Sequence, residues 1–291
     1  VPGVPRSLAA GSQLREQIKT GADQPFLPGS SLKGALRTAL AWQGWADFGL
    51  RPGRQVIDER NARFAARPVE KALFGEDPNH DLLRALQVSD SDPVGADRLI
   101  LLNVKVLTAR GDSAPVEVEG IRPDTRFTLR IKLDWQLFSD WAGRRGFALG
   151  GRREWLENLA AILNAHALQR IRRQRAWYDA RGSKRPAGFY AQMENLGLAP
   201  NQFVTQIGWG AGWDAKTLGS RLKEEDERFF DWLAAQPKLQ LTRRGVPRRP
   251  GSPFPNSRRV AMIRQKTGEG KYNEIPAAPM GWVVVELNEQ E

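Results

Sequence analysis

Cysteine is absent from this chain of 291 residues, and histidine occurs only as His80 and His166. The absence of cysteine excludes disulfide bonds and thiolate metal sites, and two histidines leave little for a zinc site or a histidine acid–base pair. No apolar run approaches the roughly 20 residues that a membrane-spanning helix needs, and no signal peptide is visible. We therefore expect a cytoplasmic protein with no cofactor, no metal site and no membrane partner.

Acidic residues are outnumbered, because 44 Lys and Arg residues stand against 33 Asp and Glu residues, for a net charge of +11 at pH 7. Arginine supplies most of the positive charge, and its guanidinium group can fork onto phosphate or stack on a base. Together with ten tryptophans, this composition favours a folded protein that binds single-stranded RNA. A basic surface that only keeps the protein in solution is the alternative.

Residues 24–40, QPFLPGSSLKGALRTAL, contain the densest set of structural signals in the chain. Pro28 and Gly29 end whatever precedes them, and Ser30 or Ser31 is expected to cap the helix that follows. The apolar residues of this helix recur at the spacing of one helix face: Leu32, Ala35, Leu36, Ala39 and Leu40. The sequence therefore predicts a helix that begins near residue 30 and packs one side on the core.

Lys33 and Arg37 lie four residues apart on the opposite face of this predicted helix. They repel each other slightly, and a phosphate chain across that face or at the helix N-terminus would relieve the repulsion. A nucleotide-binding P-loop is excluded, because Lys33 precedes Gly34 instead of following the second glycine of that motif. An ordinary amphipathic helix with a solvated basic side is the alternative.

Residues 203–219, FVTQIGWGAGWDAKTLG, form the second dense stretch. Glycines alternate there with larger side chains: Gly208, Trp209, Gly210, Ala211, Gly212 and Trp213. Glycines allow the backbone to approach a ligand closely, and the tryptophan rings offer stacking surfaces for bases. The alternative is a structural turn with two core tryptophans. The spacing GxGxxG of a dinucleotide site is absent.

Most other segments predict ordinary secondary structure. Strands are predicted over residues 82–88, 99–107, 115–119 and 125–134. Helices are predicted over residues 154–180 and 221–235, and a mobile cationic loop over residues 243–271. No strand is predicted within residues 1–23. In residues 125–134 apolar and basic residues alternate, so one face of that strand is expected to be core and the other basic.

The helix predicted over residues 154–180 carries a local excess of positive charge. Between residues 141 and 190, eleven Lys or Arg residues stand against three Asp or Glu residues. Its end is expected to be strongly cationic because it contains Arg170, Arg172, Arg173 and Arg175. We interpret His166, beside the apolar stripe of this helix, as a packed core histidine rather than a catalytic one.

Asp90 and Asp92 are the candidate ligands for a hard cation that could assist RNA cleavage. Two carboxylates two residues apart point to the same side only while the strand continues, and the flanking SDSDP sequence predicts a turn. We therefore favour turn hydrogen bonds over metal binding.

The segment LPGSSLKGALR, residues 27–37, is similar to the signature of the RAMP superfamily, the RNA-recognition-motif-like subunits of CRISPR effector complexes. Four further segments match this family in order: LQVSDSD, GIRPDT, the glycine-rich stretch and PMGW. The resemblance implies an α+β fold of ferredoxin-like (RRM-like) units with antiparallel sheets, two of them packed together. It places one unit in residues 1–136 and a second, with the glycine-rich loop, in residues 137–291.

The glycine-rich stretch most resembles that of the subunit that caps the 3′ end of the guide RNA (crRNA) in type III-A (Csm) complexes. The resemblance implies a non-catalytic subunit that supports crRNA maturation, assembly and antiviral defence. Its implied partners are crRNA, target RNA, a neighbouring backbone RAMP subunit, a small helical subunit and host maturation nucleases. The implied RNA-binding residues are Ser30, Ser31, Lys33, Arg37, Gly208, Trp209, Gly210, Gly212 and Lys216. A RAMP-family endoribonuclease, either guide-processing or target-cleaving, is the alternative.

Overall fold

The computed structural model describes residues 14–108, 111–241, 249–268 and 270–289. The helices in these ranges are α1 Gly29–Asp47, α2 Arg67–Phe74, α3 Asp140–Arg144, α4 Arg153–Glu157, α5 Leu159–Asp179, α6 Lys184–Glu194, α7 Gly219–Glu225 and α8 Glu227–Ala235. The strands are β1 Leu14–Arg15, β2 Leu86–Val88, β3 Leu99–Thr108, β4 Gly111–Asp112, β5 Val116–Ile121, β6 Ile131–Leu133, β7 Gln202–Gln206, β8 Ser257–Gly268, β9 Lys271–Ala278 and β10 Trp282–Glu286.

The largest sheet has the strand order β1-β5-β3-β8-β9, with β4 paired to one end of β3. The strands β3 and β5 form the hairpin predicted from the sequence, and every pair in this sheet is antiparallel except β1 with β5. Two antiparallel ribbons complete the strands of the described residues, β2 with β6 and β7 with β10. The α+β class and the antiparallel pairing predicted from the sequence are confirmed.

Helix α1 matches the predicted apolar pattern. Leu32, Leu36, Ala39 and Leu40 are each at most 1% exposed, whereas Ala35 is only half-buried. This face packs against α5 and belongs to a core that also includes residues of α2, α4 and α8. The helix is therefore held by tertiary packing of one apolar stripe, as its periodicity predicts.

The predicted units share structure across residue 136. Strand β8 pairs with β3, and one core joins Leu36 of α1 to Phe203 and Phe230 from the second half. A second core lies between β3, β8, α5 and α6 and includes Leu107 and Val260. The division into units 1–136 and 137–291 stays a prediction.

Several predicted boundaries are wrong. A short strand, β1, does occur before residue 23, and residues 1–13 lie outside the described residues. Only the last three residues of 82–88 form a strand, because Asp81 caps a 3-10 turn at Leu82–Arg84. Similarly, only Ile131–Leu133 of the segment 125–134 is a strand. The local alternation was detectable, but the hydrogen-bonding partner that defines a strand was not.

The two long helices predicted in the second half are each divided. The first is broken at Asn158 between α4 and α5. The second is broken at Asp226, whose side chain accepts a hydrogen bond from the Phe229 backbone N–H and so begins α8. Side-chain capping of a new N-terminus competes with helix continuation, which explains this break.

The predicted loop 243–271 is wrong from residue 257 onward. Residues 257–268 form β8, the longest described strand of the large sheet, with Val260 fully buried. The arginines and glycine of this segment suggest a loop, but β8 pairs with β3 on one side and β9 on the other. Residues 243–248 and 269 of the predicted loop lie outside the described residues. No helix in the described ranges combines the length and apolarity needed to span a membrane.

Candidate nucleic-acid interface

The N-terminus of α1 is capped from a distant part of the chain. The Gly29 backbone N–H donates a 2.7 Å hydrogen bond to Oδ1 of Asp90, and the Leu27 N–H donates to Oγ of Ser91. A carboxylate at this position is stabilised by the free N–H groups and the helix dipole. A phosphate at this N-terminus would therefore have to compete with Asp90.

This arrangement corrects the predicted cap. Neither Ser30 nor Ser31 caps the helix, because α1 already begins at Gly29 and both serines lie inside its first turn. Ser30 is exposed and Ser31 half-buried. Gly29 is required there, since a Cβ would collide with the carbonyl oxygens of Val88 and Ser89. RNA binding by the two serines stays a prediction.

Lys33 is engaged inside the protein. Its Nζ donates hydrogen bonds of 2.8 Å and 2.6 Å to the carbonyl oxygens of Leu83 and Leu86. Burial lowers the pKa of Lys33 below its usual value. The side chain thus ties α1 to the start of β2, and only one of its three ammonium protons is left for another acceptor.

Arg37 is engaged in the same segment. Its Nη1 lies 2.8 Å from Oδ2 of Asp81, and its guanidinium group stands 4.2 Å from the ring centroid of Phe74. Glu70 lies 3.8 Å from its Nη2. The geometry therefore gives Arg37 a structural role, and its predicted contact with RNA stays a prediction.

The glycine-rich loop follows β7 and turns at two glycines. Gly208 and Gly212 have φ of 78° and 74°, and a Cβ on either would meet nothing within 4 Å. Gly210 is different, because a Cβ there would come within 2.6 Å of Met280. At Gly210 the missing side chain makes room for Met280 of the same chain. The close approach that was expected for a ligand is therefore explained by packing within the protein.

The two tryptophans of this loop have different surroundings. Trp213 is half-buried and packs on the edge of the core, edge-on against Phe254 at 4.8 Å and Phe230 at 6.4 Å between ring centroids. Trp209 is half-buried, and the guanidinium groups of Arg15 and Arg259 stand over its ring at 4.9 Å and 4.4 Å. We name Trp209, Arg15 and Arg259 the Trp209 cluster. A ligand would meet the two guanidinium groups of this cluster rather than an uncovered indole ring.

The two arginines of the cluster project from one face of the large sheet. Arg15 is in register with Val118, which is in register with Leu102, and Arg259 is in register with Val106. Leu102 and Val106 are four residues apart on β3 and so lie on the same face. The convergence on the ring therefore follows from strand register and could not be found by spacing along the sequence.

The Trp209 cluster is positively charged and has no counter-charge among the described residues. Neither arginine forms an ion pair with a residue in the described ranges, and Nη1 of Arg259 donates to the carbonyl oxygen of Trp209 at 2.9 Å. Burial and the charge of Arg15 lower the pKa of Arg259. A phosphate beside the two guanidinium groups would relieve their repulsion, because arginine forks onto phosphate oxygens.

Lys216 follows the loop and is exposed. Its backbone N–H donates to the carbonyl oxygen of Trp213, and its side chain forms no hydrogen bond or ion pair within the described part of the chain. It is therefore free to meet a phosphate from solvent, although its role in RNA binding stays a prediction.

The predicted cationic end of α5 is neutralised. Arg172 and Arg175 each lie 2.9 Å from a carboxylate oxygen of Glu194. Arg170 is 1% exposed, and its Nε lies 3.7 Å from Asp214, while Arg173 lies 3.4 Å from the same carboxylate. The expectation of a strongly basic surface here is wrong.

Sequence reasoning missed the buried network around Asp214. Its carboxylate accepts hydrogen bonds from Ser220 and Gln174. Burial raises the pKa of Asp214, but the charges of Arg173 and Arg170 outweigh burial, so the net shift is downward. The sequence holds one sign of this network. A single aspartate directly follows the glycine–tryptophan alternation, and a run of arginines occurs in the helix α5.

The other titratable residues considered as catalytic or metal-binding candidates also have structural roles. His166 is 6% exposed, as predicted for a core histidine, and burial lowers its pKa to about 3. Its ring lies 5.7 Å from that of Trp42. Asp90 has a structural role, because it accepts a hydrogen bond from the Gly29 backbone N–H. The turn predicted around it is not observed, since residues 89–95 form no turn. In the described ranges no three His, Cys, Asp or Glu side chains are grouped so that they could hold a metal ion.

Comparison with known proteins identifies the class. A family model described as the RAMP superfamily matches residues 8–213, which is more than half of the chain. The chain therefore belongs to the RAMP superfamily, as its PGSSLKG segment indicates.

Individual relatives are named as CRISPR proteins. The chain is 25% identical over 219 residues to the "CRISPR system Cms protein Csm5" of Mycobacterium tuberculosis, covering 71% of this chain and 52% of that protein. It is 32% identical over 159 residues to the protein of the same name from Streptococcus thermophilus, covering 51% and 41%. The chain thus spans about half the length of the curated relatives it matches.

Two solved structures have a similar fold. One is a chain in the cryo-EM structure of a Csm–crRNA–target RNA ternary complex of a type III-A system, with a TM-score of 0.68 and 24% identity, over 96% of this chain and 76% of that one. The other is the crystal structure of T. onnurineus Csm5, with a TM-score of 0.58 and 23% identity, over 94% and 73%. These likenesses support the α+β RAMP fold.

Proposed function

We propose that this chain is a non-catalytic crRNA-binding subunit of a type III-A effector complex, acting in the cytoplasm. It caps the 3′ end of the crRNA filament and contributes to crRNA maturation, assembly and antiviral defence. Its partners are crRNA, target RNA, the neighbouring backbone RAMP subunit, the small helical subunit and host maturation nucleases. The names of its relatives and the complex that contains its structural neighbour support this assignment.

The Trp209 cluster is the observation in the chain that best supports RNA binding. Two guanidinium groups without a carboxylate partner in the described residues converge on the glycine-rich loop, and such a pair fits a phosphate of the RNA backbone. Phosphate contacts and base stacking do not distinguish one base from another. RNA binding is therefore expected to be nearly independent of RNA sequence and strongly dependent on salt concentration.

The side chains that RNA cleavage would need have other roles. Asp90 caps α1, and the imidazole of His166 is buried with its pKa lowered to about 3. Both ring nitrogens of His80 have partners, the Asp77 carboxylate at 2.9 Å and the carbonyl oxygen of Gly146 at 3.0 Å. These contacts favour the non-catalytic role over an endoribonuclease, in which one of these groups would transfer a proton or hold a cation.

The test uses the double variant Arg15→Gln and Arg259→Gln in the reconstituted effector complex. A charge-matched control is Lys184→Gln with Arg185→Gln, since both are exposed and form no ion pair in the described ranges. Nuclease footprinting should detect lost protection at the 3′ end of crRNA in the first variant, with the 5′ end still protected. The control should match the wild type.

Two results would contradict the proposal. Exposure of the 5′ end, or no change at either end in a folded and assembled variant, would refute 3′ capping. Loss of target-RNA cleavage on Asp90→Ala substitution, with assembly intact, would support the endoribonuclease instead.

A further inference from the structure

The segment before and through β6 presents a row of cations to solvent. Exposure alternates without interruption from Thr125 to Leu133. The inward side chains Leu129, Ile131 and Leu133 pack against the main core. The outward cations are Arg126, Arg130 and Lys132, and all three are exposed. This alternation was predicted from the sequence as one core face and one basic face.

These cations have no acidic partner within the described ranges. None of the ion pairs within the described ranges includes them, whereas the neighbouring Arg98 and Arg153 lie 3.4 Å and 2.7 Å from Asp97 and Glu157. Asp90, two residues after the facing strand β2, accepts a hydrogen bond from the Gly29 N–H. The row therefore keeps its positive charge.

The backbone beneath the row is fixed. The N–H of Ser89 donates to the carbonyl oxygen of Arg130, and the N–H of Arg130 donates to Oγ of Ser89, each at 2.9 Å. The N–H of Asp92 donates to the carbonyl oxygen of Thr128, and Lys132 is in register with Gln87. Alternate residues of an extended chain are about 7 Å apart, so Lys132 lies about 7 Å from Arg130, and Arg126 lies about 14 Å from Arg130 with Thr128 between them. The row is therefore pre-ordered.

An aromatic side chain lies at the end of the row. Trp135 follows Lys132 by three residues and is 38% exposed. The guanidinium group of Arg153 stands 5.0 Å from its ring centroid, and the ring of Phe138 lies 5.9 Å away. An exposed indole beside a line of cations is the combination that single-strand-binding proteins use to stack a base while holding phosphates.

We propose that Arg126, Arg130, Lys132 and Trp135, here named the β6 track, bind single-stranded RNA as a second contact separate from the Trp209 cluster. The track runs through β6 and the residues on either side of it, whereas the two arginines of the cluster are on β1 and β8 of the large sheet. The three cations contact phosphates along one RNA backbone and the indole stacks on a base. Protein interfaces have apolar centres, whereas the apolar side chains of this strand face inward, so the charge pattern favours RNA over a protein partner. The choice of RNA as ligand rests on the proposed function.

The test compares two triple variants of the full chain with the same net charge. The track variant is Arg126→Gln, Arg130→Gln and Lys132→Gln. The control is Lys184→Gln, Arg185→Gln and Lys238→Gln, three exposed cations without an ion pair in the described ranges. Binding of a labelled oligouridylate of about 20 nucleotides is measured by anisotropy over a range of salt concentrations.

Loss of three phosphate contacts should reduce the slope of log affinity against log salt by about two units in the track variant, since single strands lose about 0.7 per contact. The control should keep the wild-type slope. Trp135→Leu should weaken binding by about tenfold with little change in slope, because stacking is not an ionic contact. The substituted residues of the track variant, the control and Trp135→Leu are all exposed, and thermal unfolding checks that these variants fold.

Equal slopes in the track variant and its control would overturn the proposal, because net charge alone would then explain binding. Unchanged RNA binding with lost assembly of the effector complex would also overturn it, in favour of a protein interface. The capping function is tested separately. If the Trp209 cluster variant exposes the crRNA 3′ end but the track variant keeps the wild-type salt slope, only the track proposal is rejected. A functional track with both crRNA ends unaffected by the cluster variant rejects only capping.

Discussion

The arginines near the end of α5 and the cations of the β6 track are both clusters of positive charge in the sequence, but the structure treats them in opposite ways. Arg170 and Arg173 surround the buried Asp214, and their neighbours on α5 pair with Glu194. The cations of the track have no acidic partner in the described ranges. The local excess of charge in the sequence is therefore a poor guide to the electrostatic field that a ligand meets.

The physical reason is the cost of removing charge from water. A buried guanidinium group needs a carboxylate and hydrogen-bond acceptors to offset its desolvation, whereas an exposed one is hydrated and needs neither. Arg170 and Arg173 are thus expected to affect stability more than RNA binding. The track and the Trp209 cluster are expected to affect binding more than stability.

The largest expected effect is on the α5 side of this comparison. Asp214→Asn keeps the shape of the side chain but leaves Arg170 buried without its counter-charge, so the free energy of unfolding should fall by about 3–5 kcal/mol. Chemical denaturation measures it. Asp179→Asn is the control, because Asp179 lies 3.6 Å from Arg175 on the exposed surface and such pairs contribute about 0–1 kcal/mol. Similar small losses in both variants would mean that the buried network is not structural.

The second prediction uses the buried His166 in the same region. Burial lowers its pKa from 6.5 to about 3, so below pH 6.5 the unfolded state binds a proton that the folded state does not. Stability should therefore fall as the pH decreases from 6.5 towards 3, by about 2 kcal/mol between pH 7 and pH 5 from this group. Denaturation at both pH values measures this loss.

His166→Phe removes this titration while keeping an aromatic ring. The difference in unfolding free energy between wild type and variant should change by the same amount over that range. Asp214 and His80 titrate in both proteins and cancel from the difference. Parallel pH profiles would contradict the assignment of His166 as a neutral core histidine.

The third prediction contrasts an engaged lysine with an exposed one. Lys33→Met removes the donor for two backbone carbonyls and should lower the free energy of unfolding by about 1–3 kcal/mol, with no change in the salt slope of RNA binding. Lys132→Met should leave stability within about 0.5 kcal/mol and reduce the salt slope by about 0.7. A reduced slope without lost stability in Lys33→Met would instead support the RNA contact predicted from the sequence.

The smallest expected effect concerns the two aspartates after β2. Asp90→Ala removes the cap of α1 and should cost about 1 kcal/mol, whereas Asp92→Ala should stay within about 0.5 kcal/mol. Denaturation of the two variants measures this difference. Neither should alter RNA cleavage by the assembled complex, and a cleavage defect in Asp90→Ala at normal stability would argue for a catalytic carboxylate.

Local patterns were sufficient for the parts of the fold whose signals lie within one element. The apolar series from Leu32 to Leu40 predicts α1, and the runs around Val104 and Val118 predict the β3–β5 hairpin. The burial of His166 also follows from its place on an apolar helix face. In each case a short stretch carries the whole signal, because helix and strand periodicities are properties of adjacent residues.

Tertiary structure alone decided which charged side chains have partners. Lys33 reaches acceptors 50 and 53 residues away, and Arg37 reaches an aspartate 44 residues away. Arg15 and Arg259 meet at one tryptophan because strands from the two ends of the chain join one sheet. The charges and the apolar face of α1 were predictable from the sequence alone. Ion pairing depends on distances of a few ångströms in space, and those distances exist only after strands and helices far apart in the chain have packed together.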